Sequence, residues 1–315
     1  MSNARLQQWM SLALAGLALA WVLSCAQQGL WGQAAWAGLA GVPHAPVLAL
    51  EFFWASQLAR DASARRERGS GQVQTQAQPR ARQWLGAWWQ EIWMGLRVFG
   101  WQQPWAHQAH ADHLPPDALG RRGVLLVHGF YCNRGFWNTW MPRLRQAGIP
   151  FVALTLGPPQ ASIAQQARGI EPAVRRLTEL TGCAPLLVGH SMGGLVIRSW
   201  LASQTEDTAL RHEVITIGSP HHGTALARLA HLPAAIEMRQ GSDFLLDLMR
   251  RETDARRSRL SCYWSVCDNI VFPASTATLA GARNIALPGL PHVGLSQAPE
   301  IFEDVLRRVN ALDHR

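Results

Sequence analysis

A serine flanked by glycines at residues 189–193 is the strongest indication of chemistry in this sequence. The apolar run before it, residues 184–187, is typical of a buried strand, and residues 195–201 after it have a helical pattern. A Gly-x-Ser-x-Gly segment between strand and helix is typical of a nucleophile elbow, which lifts the serine hydroxyl above the sheet. Gly189 and Gly193 have no side chain, which leaves room for the backbone that crosses at the tight turn. The positive N-terminal end of the following helix stabilises an oxyanion formed at the serine. The sequence therefore predicts Ser191 as a nucleophile.

Alternating strand and helix patterns fill residues 121–315. Short apolar runs predict strands at residues 123–127, 151–156, 186–189, 213–217, 260–266 and 284–287. Helical patterns lie between most of them, including one over residues 161–180 and an amphipathic one over residues 299–312. This alternation is typical of an α/β fold, so we expect a mostly parallel sheet of about six strands flanked by helices.

Three motifs in this region resemble those of one enzyme family. They are Leu-Val-His-Gly-Phe at residues 126–130, Gly-His-Ser-Met-Gly-Gly at residues 189–194, and Ile-Gly-Ser-Pro-His-His-Gly-Thr at residues 217–224. With them, residues 121–315 resemble an α/β-hydrolase of the lipase/esterase type, similar to bacterial triacylglycerol lipases. The resemblance implies the α/β-hydrolase fold and a catalytic triad in the chain order serine, acid, histidine.

That order implies that the acid and the histidine follow Ser191. Asp268 stands just beyond the strand predicted at residues 260–266, which implies that it is the acid. His292 lies in the loop before the terminal helix, which implies that it is the base. The rival acids lie in a polar, helix-like segment that we expect to face solvent, and they are Asp243 and Asp247.

In the family mechanism the histidine takes the serine proton as the hydroxyl attacks an acyl carbonyl, and water then cleaves the acyl-enzyme. The implied oxyanion donors are the backbone N–H groups of Phe130 and Met192. The resemblance implies no cofactor and no metal. We interpret His128 as part of the turn near the oxyanion hole, and His221 and His222 as bonded to loop backbone. Three further histidines are interpreted as exposed loop residues rather than metal ligands, and they are His107, His110 and His113.

The composition limits the partners. The net charge of the 315-residue chain is +8, and every one of the 29 basic residues is arginine. Because these arginines form no stripe with interleaved aromatics, we expect no nucleic-acid partner. The five cysteines have no CxxC spacing. We interpret them as buried thiols, although Cys262 and Cys267 could pair in an oxidising compartment.

No charged residue occurs from Leu6 to Leu50, a stretch of roughly 45 residues that is twice the length one spanning helix needs. It divides at residues 27–29 into spans near residues 9–26 and 34–54, although two prolines interrupt the second. Arginines flank both spans, at Arg5 and within residues 60–68, so the positive-inside rule places both flanks in the cytoplasm. We therefore expect residues 1–58 to form a transmembrane helical hairpin in a bacterial inner membrane, with a cytoplasmic catalytic domain.

An exported protein is the alternative, because residues 23–26 resemble a signal-peptide or lipoprotein cleavage site. The catalytic domain, residues 121–315, would then be periplasmic or exported. Between anchor and catalytic domain, residues 59–120 begin with a polar linker that we expect to be mobile or loosely helical. A tryptophan-rich helix follows, either lying in the membrane interface or docked on the catalytic domain through its aromatic face.

These features together predict a membrane-anchored serine hydrolase that cleaves carboxylic esters. The anchor favours a lipid-like ester, and residues 225–257 mix apolar residues with arginines as a lid or acyl-binding cap does. A plain helical excursion is the other interpretation of that segment. Two alternative functions keep the same fold: an acyltransferase that uses the same triad, and a non-catalytic membrane-bound scaffold.

Overall fold

The computed structural model of the chain describes residues 3–30, 45–66 and 79–311. Helices make up its N-terminal region: α1 (Asn3–Gln27), α2 (Ala45–Arg66) and α3 (Ala81–Gly95). Helix α3 continues through a π-helical segment, Leu96–Gln102, into a last turn, α4 (Gln103–Trp105).

A sheet of six strands forms the centre of the remaining chain. The strands are β1 (Val124–Val127), β2 (Phe151–Ala153), β3 (Leu186–His190), β4 (Val214–Ile217), β5 (Leu260–Trp264) and β6 (Arg283–Ala286). Their spatial order is β2-β1-β3-β4-β5-β6, and every neighbouring pair is parallel. Strands β1 to β5 are buried at every position, which explains their nearly continuous apolar sequences. The expectation of a six-stranded parallel sheet is confirmed.

Helices flank the sheet, as expected. They are α5 (Trp140–Gln146), α6 (Ile163–Ala167), α7 (Ile170–Thr181), α8 (Met192–Ala202), α9 (Glu206–Leu210), α10 (Pro233–Glu237), α11 (Asp243–Arg251), α12 (Asp254–Ser258), α13 (His292–Leu295) and α14 (Pro299–Asn310). Short 3₁₀ turns occupy Arg134–Trp137, Ala225–Leu229 and Ala274–Ala277.

The hydrophobic core has two parts, one on each face of the sheet. Alternate residues of a strand point to opposite faces. Leu125 of β1 accordingly joins a cluster with α7 and α8, whereas its neighbour Leu126 joins a cluster with α5 and α14. The sheet is therefore held rigidly from both sides, and its strand ends are fixed positions for functional groups.

One predicted helix is interrupted. The pattern over residues 161–180 predicts a single helix, but the structure has α6 and α7, separated at Arg168 and Gly169. Ile163 and Ile170 are both fully buried although they belong to different helices. Because residues seven apart also share a face of one continuous helix, the apolar spacing did not reveal the break.

Helix α1 is the only helix in the described residues that is long and apolar enough to cross a membrane. It covers the first predicted span. Helix α2 runs to Arg66, beyond the predicted end of the second span at residue 54, and its apolar part is the shorter Ala45–Ala59. Residues 34–44 of that span and residues 67–78 of the polar linker lie outside the described residues. The helical hairpin stays a prediction.

The tryptophan-rich helix α3 has one docked face and one exposed face. Phe52 of α2 meets Trp84 edge to face with ring centroids 6.2 Å apart, and Trp88 packs in the same cluster. On the other face, Trp89 and Trp93 are 55% and 54% exposed. Docking therefore accounts for one side of the helix, and contact with the membrane interface stays a prediction for the other.

Candidate active site

Ser191 lies at a sharp turn between β3 and α8. Its backbone has φ 54° and ψ −127°, a positive φ that strains a residue with a side chain. A Cβ atom at Gly193 would lie 2.6 Å from the carbonyl oxygen of His128, and one at Gly189 would lie 2.7 Å from the backbone N of Gly194. Only glycine fits at these two positions, so the local geometry is that of the predicted elbow.

Asp268 and His292 form a buried hydrogen-bonded pair, with 2.8 Å between Oδ2 and Nδ1. The other carboxylate oxygen of Asp268 accepts the backbone N–H groups of Ile270 and Val271, each at 2.8 Å. Gly218, with φ +56°, packs against the pair, and a Cβ there would lie 3.1 Å from Oδ2 and 3.2 Å from Nδ1. The loop thus fixes the carboxylate and aims one oxygen at the imidazole.

The serine lies next to this pair. The N–H of Ser191 donates to the carbonyl of Ile217, the last residue of β4. The next residue is Gly218, which packs against Asp268 and His292. The ring of His190 has its centroid 4.7 Å from that of His292, and its Nε2 lies 3.1 Å from the His292 carbonyl oxygen. The three predicted triad positions therefore follow β3, β5 and β6, and Ser191 lies beside the bonded Asp268–His292 pair without a hydrogen bond to His292 among the described residues. Nε2 of His292 has no hydrogen-bond partner among the described residues.

The predicted oxyanion donors border the serine. Met192 follows Ser191 at the start of α8, and a Cβ at Gly129 would lie 3.0 Å from the Cβ of Ser191. The peptide that joins Gly129 to Phe130 therefore passes directly against the nucleophile position. In the part of the chain that the structure describes, neither Phe130 nor Met192 uses its backbone N–H in a hydrogen bond.

His128 fixes the orientation of that peptide. Its Nδ1 lies 2.8 Å from the Gly129 carbonyl oxygen, and its Nε2 accepts the N–H of Leu156 at 2.9 Å. Burial lowers the pKa of His128 to about 4, so the ring is neutral, with the proton on Nδ1. Because the C=O and N–H of a trans peptide point in opposite directions, holding the Gly129 carbonyl turns the Phe130 N–H away from the ring. The placement agrees with the turn expected near the oxyanion hole.

The environment of His292 suits a general base. Burial alone lowers the pKa of its imidazole, but the Asp268 carboxylate raises it through charge and the hydrogen bond. The more distant carboxylates of Glu91 and Glu51 act in the same direction, and the net pKa is raised above its ordinary value. Negative charge around the ring thus favours the imidazolium that forms when a base takes a proton.

Two carboxylates from the N-terminal helices reach this site, and the sequence did not predict either. Glu91 of α3 accepts the N–H of Val293 at 2.9 Å and that of Gly294 at 3.3 Å, directly after His292. Glu51 of α2 accepts the side-chain N–H of Asn269 at 2.8 Å, and Asn269 accepts the His292 N–H at 3.2 Å. A signal was present for Glu91: it is the only acidic residue between Glu67 and Asp112.

The histidines of the motif at residues 217–224 have a different environment from the one expected. His221 is buried and bonded mainly to side chains: Nε2 lies 2.9 Å from Thr216 Oγ1, and Nδ1 lies 3.2 Å from Nη1 of Arg198. Arg198, on the elbow helix, also forms a two-pronged ion pair with Glu252, at 2.7 and 2.6 Å. The expectation of backbone bonding was therefore incomplete, because this motif braces α8 through a buried charge network. The N–H of His222 does bond to loop backbone, at the carbonyl of Thr276.

The remaining candidates lie away from the site. Asp243 and Asp247 are exposed on α11, as expected. His107, His110 and His113 are half-buried rather than exposed, and His113 accepts a hydrogen bond from Arg145. No three metal-ligating side chains cluster within the described residues. Cys262 and Cys267 are buried free thiols, as is Cys132.

Comparison with known proteins agrees with this geometry. A family model for the alpha/beta hydrolase family matches residues 124–306. The chain belongs to the α/β-hydrolase family.

Solved lipases have a similar fold. The mature form of Bacillus licheniformis lipase BlEst2 superposes with a TM-score of 0.52 at 18% identity, over 63% of this chain and 96% of that one. Aspergillus fumigatus lipase B gives a TM-score of 0.52 at 21% identity, over 66% of this chain and 57% of that one. No curated protein matches the sequence.

Proposed function

We propose that the protein is a serine hydrolase of carboxylic esters, with Ser191 as nucleophile, His292 as general base and Asp268 as the acid. The observation that carries the proposal is the buried hydrogen bond between Asp268 and His292, formed beside a strained serine at the carboxyl edge of the sheet. Family membership and the likeness to solved lipase folds support the same class of reaction.

The geometry supports a two-stage reaction. Asp268 holds the proton on Nδ1 of His292, so that Nε2 is free to take the proton of Ser191 as its oxygen attacks the ester carbonyl. The N–H groups of Phe130 and Met192 stabilise the oxyanion, and the loss of one such donor costs roughly 3 kcal/mol of barrier. His292 then protonates the leaving alcohol, and water, activated by the same ring, cleaves the acyl-enzyme.

Membrane attachment through α1 is part of the proposal. The side chains of Asn3, Gln7 and Gln8 donate to the backbone carbonyls of Cys132, Tyr131 and Pro104, at 2.7 to 2.9 Å. Two of these contacts tie the start of α1 to the loop after Phe130 and the third ties it to α4, which supports an uncleaved helix over a removed signal peptide. We place the catalytic domain on the cytoplasmic side of a bacterial inner membrane. Digestion of that domain by protease added outside sealed spheroplasts would contradict this placement.

Labelling with a fluorophosphonate tests the nucleophile. Ser203, an exposed serine just after the elbow helix, provides the control. The wild-type protein and Ser203→Ala are expected to label equally, and Ser191→Ala is expected not to label. Labelling that persists in Ser191→Ala refutes the proposal. Labelling that is absent from all three proteins also refutes it and favours a non-catalytic scaffold. Release of free acid rather than a new ester or thioester distinguishes hydrolysis from acyl transfer.

A further inference from the structure

A cavity of about 670 Å³ opens beside His292, and most of its wall comes from outside the family-matched region. The N-terminal helices and the π-helical segment supply most of the lining, including Ala15, Glu51, Glu91, Leu96, Phe99 and Gly100. The catalytic domain supplies only Asn269, Ile270, His292 and Val293. The cavity is therefore a feature that the fold family does not account for.

Its walls are apolar except at the end next to the imidazole. Leucines of α1 and α2 line it together with Leu96 and Phe99 of the π-helical segment. The two carboxylates, Glu51 and Glu91, are tied by hydrogen bonds to Asn269 and to the backbone after His292. The polar groups of the cavity thus lie beside His292, and the rest of its lining is mostly apolar. Ser191 does not line the cavity itself, so an ester bound there reaches the serine past the imidazole.

The helices that form this wall also carry the exposed apolar side chains of the N-terminal region. On α1, Trp9 and Leu17 are 67% and 70% exposed, and Phe53 of α2 and Trp101 of the π-helical segment are more than half exposed. A contiguous set of exposed apolar groups on a soluble protein indicates contact with a protein or a membrane. Here the same helices also line the cavity, and one of them, α1, is long enough to cross a bilayer, which favours the membrane.

The segment that the sequence suggested as a lid does not contribute to this cavity. No residue from 225–257 lines it. Apolar residues of that segment, including Ala234, Leu245 and Leu248, instead join the core cluster that contains Leu195 of the elbow helix. These three residues are packed in the core, whereas Leu229, Ile236 and Leu246 of the same segment are exposed and lie outside the cavity lining.

We propose that the cavity binds the acyl chain of a membrane lipid ester, which enters from the bilayer between α1 and the π-helical segment and presents its carbonyl to Ser191. The volume lies within the roughly 300–1,000 Å³ typical of small-molecule sites. The proposal rests on the proposed hydrolase function and adds the substrate class and the route. Each methylene that the cavity buries raises kcat/KM by up to about fourfold.

Gly100 provides the test, because a Cβ there meets no atom within 4 Å and a larger side chain extends into the cavity. Gly86 of α3 is the matched control: it has equal free space and does not line the cavity. Wild type, Gly100→Leu and Gly86→Leu are compared on p-nitrophenyl butanoate and hexadecanoate in detergent micelles. We expect the ratio of hexadecanoate to butanoate kcat/KM to fall at least tenfold in Gly100→Leu and to stay unchanged in Gly86→Leu.

A second pair of variants controls for misfolding of the first. Ala15→Leu fills the facing wall, and its neighbour Gly16 does not line the cavity, so Gly16→Leu is the control. The four variants are also assayed for fatty-acid release from phospholipid vesicles that contain a long-chain diacylglycerol. Loss of release in both cavity variants, but not in the controls, supports entry from the bilayer. Hydrolysis of micellar hexadecanoate without any release from vesicles overturns the membrane route.

The outcomes distinguish failure of the acyl-chain cavity from failure of the proposed hydrolase function. If the chain-length ratio is the same in all variants while Ser191→Ala abolishes butanoate hydrolysis, the cavity is not the acyl site and the hydrolase proposal stands. If neither ester is hydrolysed in a Ser191-dependent way, the hydrolase proposal fails, and this inference fails with it.

Discussion

Glu91 accepts the backbone N–H of Val293 at 2.9 Å, across 202 positions of sequence. Val293 follows the proposed catalytic histidine in the short helix α13. The tryptophan-rich helix that precedes the catalytic domain therefore holds the turn that carries the imidazole. Glu91 is 3% exposed, so this contact places a carboxyl group inside the protein, close to the site.

The first prediction concerns the pH dependence of activity in Glu91→Gln. The Glu91 carboxylate, charged above its own pKa of about 7, is one of the groups that raise the pKa of His292, and glutamine keeps the acceptor oxygen while removing the charge. A general base must be neutral, so the acid limb of the kcat/KM profile is expected to move to lower pH in this variant. Profiles on a water-soluble butanoate ester measure it, with the exposed Glu303→Gln as control. An unmoved acid limb would show that Glu91 does not act on the imidazole.

The second prediction concerns stability in the same variant. Burial raises the pKa of Glu91 from 4.5 to about 7, so the folded protein retains a proton that the unfolded chain releases. The contribution of this retained proton to the free energy of unfolding is about 3 kcal/mol. It is fully present below pH 4.5 and is lost as the pH rises through about 7. Between pH 5 and pH 8 the Tm of wild type in detergent should fall more than that of Glu91→Gln. Parallel curves for the two proteins would contradict the prediction.

The third prediction assigns His128 a positioning role. His128→Ala removes the group that holds the Gly129 carbonyl, so the Phe130 N–H loses its direction, and kcat is expected to fall about 10²- to 10³-fold with little change in KM. The control is His212→Ala, another buried histidine, which bonds to the carbonyl of Pro185 instead. Both variants should lower Tm, but only the first should lower kcat. A similar loss of kcat in both would mean that His128 has a structural role only.

The fourth prediction concerns the buried charge network under the elbow. Arg198 is fully buried and paired with Glu252, so Arg198→Ala leaves this buried carboxylate with only the long ion pair to Arg257, at 3.9 Å, and is expected to cost about 3–5 kcal/mol of unfolding free energy. Arg121→Ala breaks the exposed pair with Asp117 and should cost at most about 1 kcal/mol. Urea unfolding in detergent compares the two variants. Equal losses would mean that the buried network adds no more than a surface pair.

Much of the catalytic domain could be predicted because its signals are local. Strands β1 to β5 are short, mostly apolar runs, and the prediction of β3 at residues 186–189 differs from the observed Leu186–His190 by a single residue. The elbow depends on glycines on either side of Ser191, which are visible in the sequence. The roles proposed for Asp268 and His292 came from the family's chain order, in which the acid and the histidine follow the serine, and from the position of each residue after a predicted strand.

The contributions of the N-terminal helices could not be predicted in the same way. Glu91 and Glu51 act through contacts with residues about 200 positions away, and no periodicity encodes which distant backbone a carboxylate will reach. The break at Gly169 was missed because the apolar spacing continues through it. His221 was misjudged since its partner, Arg198, reads in sequence as one more polar position on an apolar helix.

The docking of α1 has a practical consequence for anyone who wishes to produce a water-soluble enzyme. Cutting the chain near residue 121 would keep Ser191, Asp268 and His292. The fragment would also keep the whole region that matches the α/β-hydrolase family, residues 124–306. It would nevertheless delete Glu91, open the recess beside the imidazole to water and release the loop that Asn3 and Gln7 tether. Solubilisation by detergent, with the N-terminal helices intact, is therefore the safer route to an active preparation.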